Sequence, residues 1–231
     1  MAKFIRDNPK KPVWMDFVCS DTHRRVMFKL HIVDWSNRHA YQDQLEHYFR
    51  VRHEIYIGGR KWQQIERPIP MEIDAFDTRD AIYLLGINGD GTIAGGSRLV
   101  PTLRPHLLSE VFPMLARGEP PRGADIYEWT RFFIAPPLRR SGKSSWAAGI
   151  VLCGLLEACL RLGISKISVV CEAFWPERLE QLGWSVTRMG QVLNHPDGKI
   201  LALLIQVDEE TLGSTRASYC LGDASVVANW C

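Results

Sequence analysis

The heptapeptide MEIDAFD concentrates three carboxylates, Glu72, Asp74 and Asp77, in a stretch that otherwise has the composition of a buried strand or turn. Acidic residues favour loops, so one interpretation is an acidic loop that is simply solvated. Arg52 and Arg98 also stand beside apolar neighbours, so arginine and carboxylate occur in matching numbers around one prospective cleft. The other interpretation is therefore that these carboxylates pair with arginines and attract a cationic ligand.

A second pair of charges interrupts the apolar segment YEWTRFF, which otherwise has the composition of a core strand. Strand alternation places Tyr127, Trp129 and Arg131 on one face, and Glu128 and Thr130 on the other. Charges in a core strand are costly unless they are paired or used. Glu128 and Arg131 are therefore candidates for a structural ion pair with another segment or for a functional site.

The segment RRSGKSS precedes a long apolar run and could bind phosphate. A nucleotide-binding P-loop would require glycine where Pro137 stands, which disfavours an NTPase. What remains is an R-x-x-G-x-S turn, made by Arg139, Gly142 and Ser144, that enters a helix N-terminus whose N–H groups favour a phosphate. This shape is typical of the pyrophosphate-binding turn of acyl-CoA-dependent N-acyltransferases. The alternative is an N-cap serine with basic residues in solvent.

The elements that would position these residues follow from hydrophobic periodicity. Apolar residues recur at helical spacing from Tyr41 to Tyr56, and Gly58 and Gly59 follow where a helix should end. The sequence NGDG between two strand-like runs predicts a hairpin. The segment SSWAAGIVLCGLLEACLRLG predicts a long, well-buried helix that stops at Gly163. Further strands are expected in IYEWTRFFI, ISKISVVCE, WSVTRMG and KILALLIQV, and a helix in WPERLEQLG.

Together these elements predict an α/β fold in which a mixed, mostly antiparallel sheet is flanked by helices. One domain is expected over residues 28–208, between an N-terminal extension at 1–27 and a C-terminal tail at 209–231. A chain of 231 residues with 46% hydrophobic content can bury the core that such a domain needs.

Composition argues against several other classes. The net charge is +2 and the basic residues are scattered, so no nucleic-acid surface is expected. No run of 18 apolar residues and no signal-peptide core is present, so neither membrane spanning nor secretion is expected. The cysteines lack metal-type spacing, and Cys153, Cys159 and Cys171 lie in apolar runs as small hydrophobes, which is typical of a cytoplasmic protein.

The chemistry-bearing residues, taken together, resemble the acyl-homoserine lactone synthase family, the autoinducer synthases of bacterial quorum sensing. The resemblance rests on E-x-D-x-F-D, GGSRLVPT, EVFPML and EWTRF, with basic and aromatic positions before them, and it covers roughly Leu45 to Leu204. Tyr56 stands where the family usually has Phe, and Thr130 where it usually has Ser. Both departures conserve the chemical character of the position.

The resemblance implies a GNAT-like acyltransferase fold, S-adenosylmethionine as the amine donor and an acyl thioester as the acyl donor, with no metal and no separate cofactor. Glu128 is implied as the general base, and Arg131 is grouped with it as a catalytic residue. The residues implied to bind S-adenosylmethionine are Arg52, Tyr56, Trp62, Asp74, Asp77, Arg98 and Phe112. Carboxylates and an aromatic face suit the sulfonium and the ammonium of this substrate. Lactone closure would release methylthioadenosine.

The acyl donor is expected to be a CoA thioester with a short branched or aromatic acyl group. The phosphate-binding turn suits CoA, and bulky side chains would shorten the acyl pocket. The residues expected to bind the acyl-CoA are Arg139, Gly142, Ser144, Trp146, Phe174 and Trp175. An acyl-carrier protein that donates a linear chain remains an alternative. So do an N-acyltransferase for another amine and a homologue that binds without turnover.

Overall fold

The computed structural model describes residues 28–59, 69–139, 145–196 and 198–228. Its strands are β1 (Phe28–Val33), β2 (Ile82–Asn88), β3 (Ile93–Pro101), β4 (Ile126–Ile134), β5 (Lys166–Glu172), β6 (Val186–Arg188), β7 (Leu193–His195) and β8 (Gly198–Gln206). They form an eight-stranded sheet in the order β1-β2-β3-β4-β5-β8-β6, with β7 also paired to β8. This architecture confirms the predicted fold class. The extension expected at residues 1–27 lies outside the described residues.

Helices cover both faces of the sheet. They are α1 (Gln42–His53), α2 (Leu107–Glu110), α3 (Trp146–Arg161), α4 (Trp175–Gln181) and α5 (Glu209–Ser218). An aromatic cluster that includes Tyr48 and Phe49 of α1 packs with Tyr83 and Phe133 on one face. The larger core cluster centres on α3 and lies on the opposite face.

The relative direction of neighbouring strands changes in the middle of the sheet, between β4 and β5. Described neighbouring strands are antiparallel except for these two, which pair in parallel only from Ile126–Glu128 to Lys166–Ser168. Beyond Glu128, β4 keeps its pairing with β3, and beyond Ser168, β5 keeps its pairing with β8. The two strands therefore part, and the resulting gap is named the β4–β5 opening.

The predicted hairpin and helices form with small differences at their ends. Asn88 N–H donates to Thr92 O at 2.9 Å, and Gly91 has φ +84° at the tip. A π-helical turn, Glu54–Gly59, continues α1 up to the predicted glycines. Ser145 caps α3 by accepting a hydrogen bond from the Ala148 N–H. Local sequence signals are thus sufficient to locate these elements.

The C-terminal residues 209–228 belong to the folded core. Leu212 and Tyr219 are buried in the α3 cluster. Glu157 of α3 accepts hydrogen bonds from Arg216 at 2.8 Å and Ser225 at 2.6 Å. An added Cβ at Gly149 would lie 2.4 Å from the ring of Tyr219, so α3 needs glycine at this crossing. The segment that the sequence set apart as a tail therefore completes the fold at least to residue 228.

The thiols agree with the expectation for Cys153, Cys159 and Cys171, which are free. Burial raises the pKa of Cys153 to about 12 and that of Cys171 to about 12, so both thiols stay protonated. Cys220 is disulfide-bonded. Across the described residues, no helix is both long and apolar enough to cross a bilayer.

Candidate active site

Six charged residues from four parts of the chain meet in one buried set, named the charge network: Arg52, Glu72, Asp74, Asp77, Arg98 and Arg131. Arg52 of α1 donates from Nη1 and Nη2 to the two carboxylate oxygens of Asp77, at 2.8 and 2.9 Å. Its Nε donates to Glu72. The loop MEIDAFD is thus tied to α1 by ionic hydrogen bonds.

Two further arginines bind the same loop from the sheet. Arg98 of β3 donates from Nη1 and Nη2 to the two oxygens of Asp74 at 2.7 and 2.9 Å, and from Nε to Thr130 Oγ1 at 3.0 Å. Arg131 of β4 donates to Glu72 at 2.8 Å and to Asp74 at 2.7 Å. The predicted pairing of carboxylates with Arg52 and Arg98 is confirmed, and the interpretation of a solvated acidic loop is wrong.

Pairing keeps the buried carboxylates ionised. Burial alone would raise the pKa of Asp77, but the guanidinium groups of Arg52 and Arg98 outweigh it and lower that pKa well below its usual range. Burial opposes ionisation of Glu72 too, and Arg52 with Arg131 lowers its pKa. The side chains of Asp74 and Arg131 are each 10% exposed, whereas those of Arg52, Glu72, Asp77 and Arg98 are fully buried. A ligand would therefore meet this network at Asp74 and Arg131.

Arg131 reaches the network because β4 contains a bulge. The pairing with β3 shifts between Gly96 and Arg98, so Ser97 faces two residues, Arg131 and Phe132. Arg131 has φ +55°, a left-handed conformation that is uncommon for a residue with a side chain. The predicted alternation, with Arg131 on the face of Tyr127 and Trp129, is therefore wrong. The bulge turns Arg131 to the face of Thr130.

Glu128 occupies the last position at which β4 and β5 pair. It is fully buried, and its two carboxylate oxygens accept hydrogen bonds from the N–H groups of Leu107 and Leu108, each at 2.7 Å. Burial raises the pKa of Glu128 to about 7, although these N–H groups and Arg98 act in the opposite direction. An appreciable fraction of the carboxylate is therefore charged at neutral pH, as a general base requires.

The other face of β4, at the β4–β5 opening, carries an aromatic cluster that consists of Trp129, Phe132, Trp175 and Trp184. The ring of Trp175 lies 5.6 Å from Phe132 and 6.2 Å from Trp129, both edge to face. Trp129 and Trp184 are 6.0 Å apart. Aromatic walls of this kind favour compact apolar groups.

The remaining predicted residues differ in whether they contact the charge network or the aromatic cluster. Tyr56 stacks under the Arg131 guanidinium at 5.3 Å, and its hydroxyl donates to Phe132 O at 3.3 Å. Phe174 stacks on Trp175, while Trp146 is partly buried against the α3 core. Trp62, Gly142 and Ser144 lie outside the described residues.

Phe112 and Arg139 make their described contacts with residues outside the charge network. Phe112 packs edge to face on His195 at 5.6 Å and lies, partly buried, against a third core cluster that includes Leu108. Arg139 is exposed and donates from Nε to Ile134 O at 2.7 Å. Their assignment to S-adenosylmethionine and to CoA stays a prediction.

Two contributors to the site go beyond the residues expected to bind substrate. Glu72 was expected only to share in the pairing of the three carboxylates with arginine, and it binds both Arg52 and Arg131. The backbone N–H groups of Leu107 and Leu108 carry no side-chain signal at all. Among the described residues, no group of three or more His, Cys, Asp or Glu side chains could hold a metal ion.

Comparison with known proteins places this geometry in a family. The family model described as autoinducer synthase matches residues 36–214. The isovaleryl-homoserine lactone synthase of Bradyrhizobium diazoefficiens is 36% identical over 185 residues, which is 79% of this chain and 82% of that protein. An acyl-homoserine-lactone synthase of Ralstonia solanacearum is 30% identical over 77% of this chain and 89% of its own length.

Solved structures give the same result. The CoA-dependent acyl-homoserine lactone synthase MesI has a TM-score of 0.80 and 55% identity, and the match covers 87% of this chain and all (100%) of that one. BjaI, described with SAM and isopentyl-CoA, has a TM-score of 0.81 and 32% identity, with coverage of 87% and 92%. An acyl-CoA N-acyltransferase from Pseudomonas aeruginosa, at 14% identity and a TM-score of 0.55, shares the fold.

Proposed function

The chain belongs to the autoinducer synthase family of acyltransferases, and we propose that it makes an acyl-homoserine lactone from S-adenosylmethionine and a short branched or aromatic acyl-CoA. The observation that carries the proposal is the position of Glu128. This residue, whose raised pKa suits a base, lies where β4 and β5 part, on the same face as the charge network. Amine activation, cation binding and thioester access would thus meet at one point.

The charge network supports S-adenosylmethionine as the amine donor. The Asp74 side chain is partly exposed and would face the ammonium or the sulfonium, while Arg131 would face the substrate carboxylate. Arg52, Glu72 and Asp77 are fully buried, so their role is to fix Asp74, Arg98 and Arg131 in place. Such prearranged charges stabilise a bound zwitterion without reorganisation during the reaction.

The reaction would proceed in two bond exchanges. Glu128 takes a proton from the ammonium, directly or through a water molecule, and the free amine attacks the thioester carbonyl. The carbon–sulfur bond of the thioester breaks and releases the thiol of CoA. An oxygen of the substrate carboxylate then attacks the γ-carbon, and the sulfonium carbon–sulfur bond breaks to release methylthioadenosine. The second exchange needs mainly positioning, since a sulfonium leaves readily.

The β4 bulge would provide a group that stabilises the carbonyl oxygen of the thioester during attack. A bulge leaves a residue out of the regular ladder, and the cationic Arg131 lies at this position. A backbone N–H or a cation near the developing oxyanion is the arrangement that acyl transfer requires.

The aromatic cluster supports a compact acyl group. Trp129, Phe132 and Trp175 pack together beside the strands that part, and as one wall of an acyl pocket these large rings would leave little room for a long flexible chain. Two relatives point the same way: one is named for isovaleryl-homoserine lactone, and BjaI is described with isopentyl-CoA. A CoA donor is therefore proposed over an acyl-carrier protein, with no further cofactor.

A direct assay tests the function. Purified protein is mixed with S-adenosylmethionine and isovaleryl-CoA, and methylthioadenosine and the lactone are quantified by mass spectrometry. Both products are expected in equal amounts, and the Glu128→Gln variant serves as the inactive control. Acylated amine without methylthioadenosine would indicate a general N-acyltransferase. No product from any CoA or carrier-protein donor would indicate a homologue that binds without turnover.

A further inference from the structure

Ser168 is the residue directly opposite Glu128 in the short parallel pairing of β4 and β5. Neighbouring strands lie about 4.8 Å apart, and in-register residues project to the same face. The Ser168 side chain therefore projects beside the Glu128 carboxylate. Both residues are fully buried.

The surroundings agree with this placement. Leu108, whose N–H binds Glu128, packs in the third core cluster, and Val170, two residues beyond Ser168, packs against the same cluster. Since alternate strand residues share a face, Ser168 lies between Glu128 and Val170 on the side covered by α2.

The Ser168 hydroxyl is a buried polar group that has no hydrogen-bond partner within the described parts of the chain. Buried hydroxyls in native proteins are nearly always satisfied by protein, water or ligand. Ser168 stands at the last pair of residues before β4 and β5 separate, beside the candidate base. A hydroxyl can donate and accept at once, which suits a proton path.

We propose that Ser168 is a positioning residue for Glu128, and that its hydroxyl holds the water molecule through which Glu128 takes the proton from the substrate amine. The inference rests on the proposed function of Glu128 as the base. Each Glu128 oxygen accepts one backbone N–H and keeps a lone pair for a further donor. A water molecule held by Ser168 would be that donor.

The proposed step moves one proton from the substrate ammonium to Glu128 through the water molecule. An N–H bond of the ammonium breaks, and the nitrogen keeps the electron pair with which it attacks the thioester. The proton passes to the water oxygen, and this water gives one of its other protons to Glu128. The products of the step are the free amine, an unchanged water molecule and a protonated Glu128.

The pKa of Glu128 depends on the charged and hydrogen-bonding groups that surround its carboxylate. Arg98 of β3 stabilises the charged carboxylate, Asp74 of the acidic loop opposes it, and α2 contributes the Leu107 and Leu108 N–H groups. A water molecule that donates from the Ser168 side would stabilise the charged form as well. Removing the hydroxyl should therefore raise the pKa of Glu128 further.

The test compares Ser168→Ala, which removes the hydroxyl, with Ser168→Thr, which keeps it on a strand-favouring residue. We expect Ser168→Ala to lower kcat about tenfold and to move the acid limb of the kcat profile to higher pH, with little change in KM for S-adenosylmethionine. Ser168→Thr should recover at least half of the wild-type kcat and the wild-type limb. Ser165→Ala is the control. It removes a hydroxyl that lies just before β5 and binds Asp125, and its kcat and pH profile should match those of the wild type.

A readout without substrate separates this inference from the proposed function. The carboxyl carbon of ¹³C-labelled Glu128, assigned by its absence in Glu128→Gln, is titrated by NMR in wild type and in each folded Ser168 variant. A higher midpoint in Ser168→Ala supports the proposal even if the wild type forms no lactone. An unchanged midpoint and kcat in Ser168→Ala would overturn it. So would a Ser168→Thr protein that is folded but behaves like Ser168→Ala.

Discussion

Asp74 and Arg98 form a two-point ion pair, in which Nη1 and Nη2 of the arginine donate to separate carboxylate oxygens at 2.7 and 2.9 Å. Asp74 also accepts from Arg131 at 2.7 Å. Among the three carboxylates of MEIDAFD, Asp74 is the one whose side chain is measurably exposed, at 10%, and it accepts hydrogen bonds from two arginines. This relationship distinguishes its expected behaviour from that of Asp77.

Asp74→Asn should weaken binding of S-adenosylmethionine at least tenfold, because a neutral amide no longer attracts the ammonium or the sulfonium. A tenfold change corresponds to about 1.4 kcal/mol. Isothermal titration calorimetry measures the affinity. Asp80→Asn is the matched control, since Asp80 pairs with the exposed Arg104 on the surface. Equal affinities for Asp74→Asn and wild type would argue against a substrate contact at Asp74.

Asp77→Asn should instead reduce the free energy of unfolding, by about 3 kcal/mol, because Arg52 and Arg98 lose a fully buried partner. Urea titration measures the loss. The folded pKa of Asp77 is depressed, so its stabilisation is present above the unfolded pKa and is lost as the pH falls through the folded value. The difference between wild type and variant should therefore shrink in acid. A constant difference from neutral to strongly acidic pH would contradict the buried ion pair as its source.

Glu128→Gln should lower turnover by about 10²–10⁴-fold, because the amide cannot take a proton. The structure adds a second effect: both oxygens accept N–H groups, so the amide nitrogen must face either Leu107 or Leu108 without bonding it. We expect a lower melting temperature, and turnover must be normalised to folded protein. Glu110→Gln is the control, because Glu110 is an exposed residue of α2, the helix whose N–H groups bind Glu128. Retention of more than about half of wild-type turnover would remove Glu128 as the base.

The pH dependence of the wild type follows from the same residue. Turnover should fall as the pH drops below about 7, where Glu128 becomes protonated. The folded pKa is raised above the unfolded value, so the stabilisation from this group is full below the unfolded pKa and is lost as the pH rises through about 7. Activity and this component of stability should thus change in opposite directions. Stability profiles that coincide for wild type and Glu128→Gln would contradict the assignment of that pKa.

Trp175→Ala should change the preference among acyl donors. Removing the ring that packs on Trp129 and Phe132 lengthens the pocket, so the ratio of kcat/KM for octanoyl-CoA to that for isovaleryl-CoA should rise about tenfold, or about 1.4 kcal/mol. Trp35→Ala, at a tryptophan that is 56% exposed, is the control. A wild-type preference for octanoyl-carrier protein over isovaleryl-CoA of tenfold or more would falsify the CoA proposal and leave the family assignment intact.

Much of this structure could be predicted because its determinants are local. The helical spacing in α1 and α3 and the NGDG turn each depend on residues close together in the chain. The three-residue strand β7 is too short to show a period. Helix α5, with the sequence EETLGSTRAS, carries few apolar residues, and its packing depends on distant partners such as Glu157.

The candidate site was predictable in its residue types and less so in its geometry. Asp77 and Arg52 were singled out as charged residues beside apolar neighbours, but a bidentate contact between positions 25 residues apart has no local signal. The orientation of Arg131 depends on a bulge that a non-glycine residue forms at positive φ, which sequence patterns disfavour. The α2 contacts of Glu128 involve backbone atoms, which every residue possesses.

The short parallel pairing of β4 and β5 also joins the two halves of the sheet by few backbone hydrogen bonds. Among the described residues, strand pairing between β1–β4 and the strands beyond is limited to Ile126–Glu128 with Lys166–Ser168, whereas β5 and β8 pair over seven residues. A transient separation along this seam breaks few backbone hydrogen bonds between strands, although it also parts core side chains of the two halves that pack together with α3. Amide protons at the seam should therefore exchange with solvent by local opening at a lower free energy than global unfolding requires.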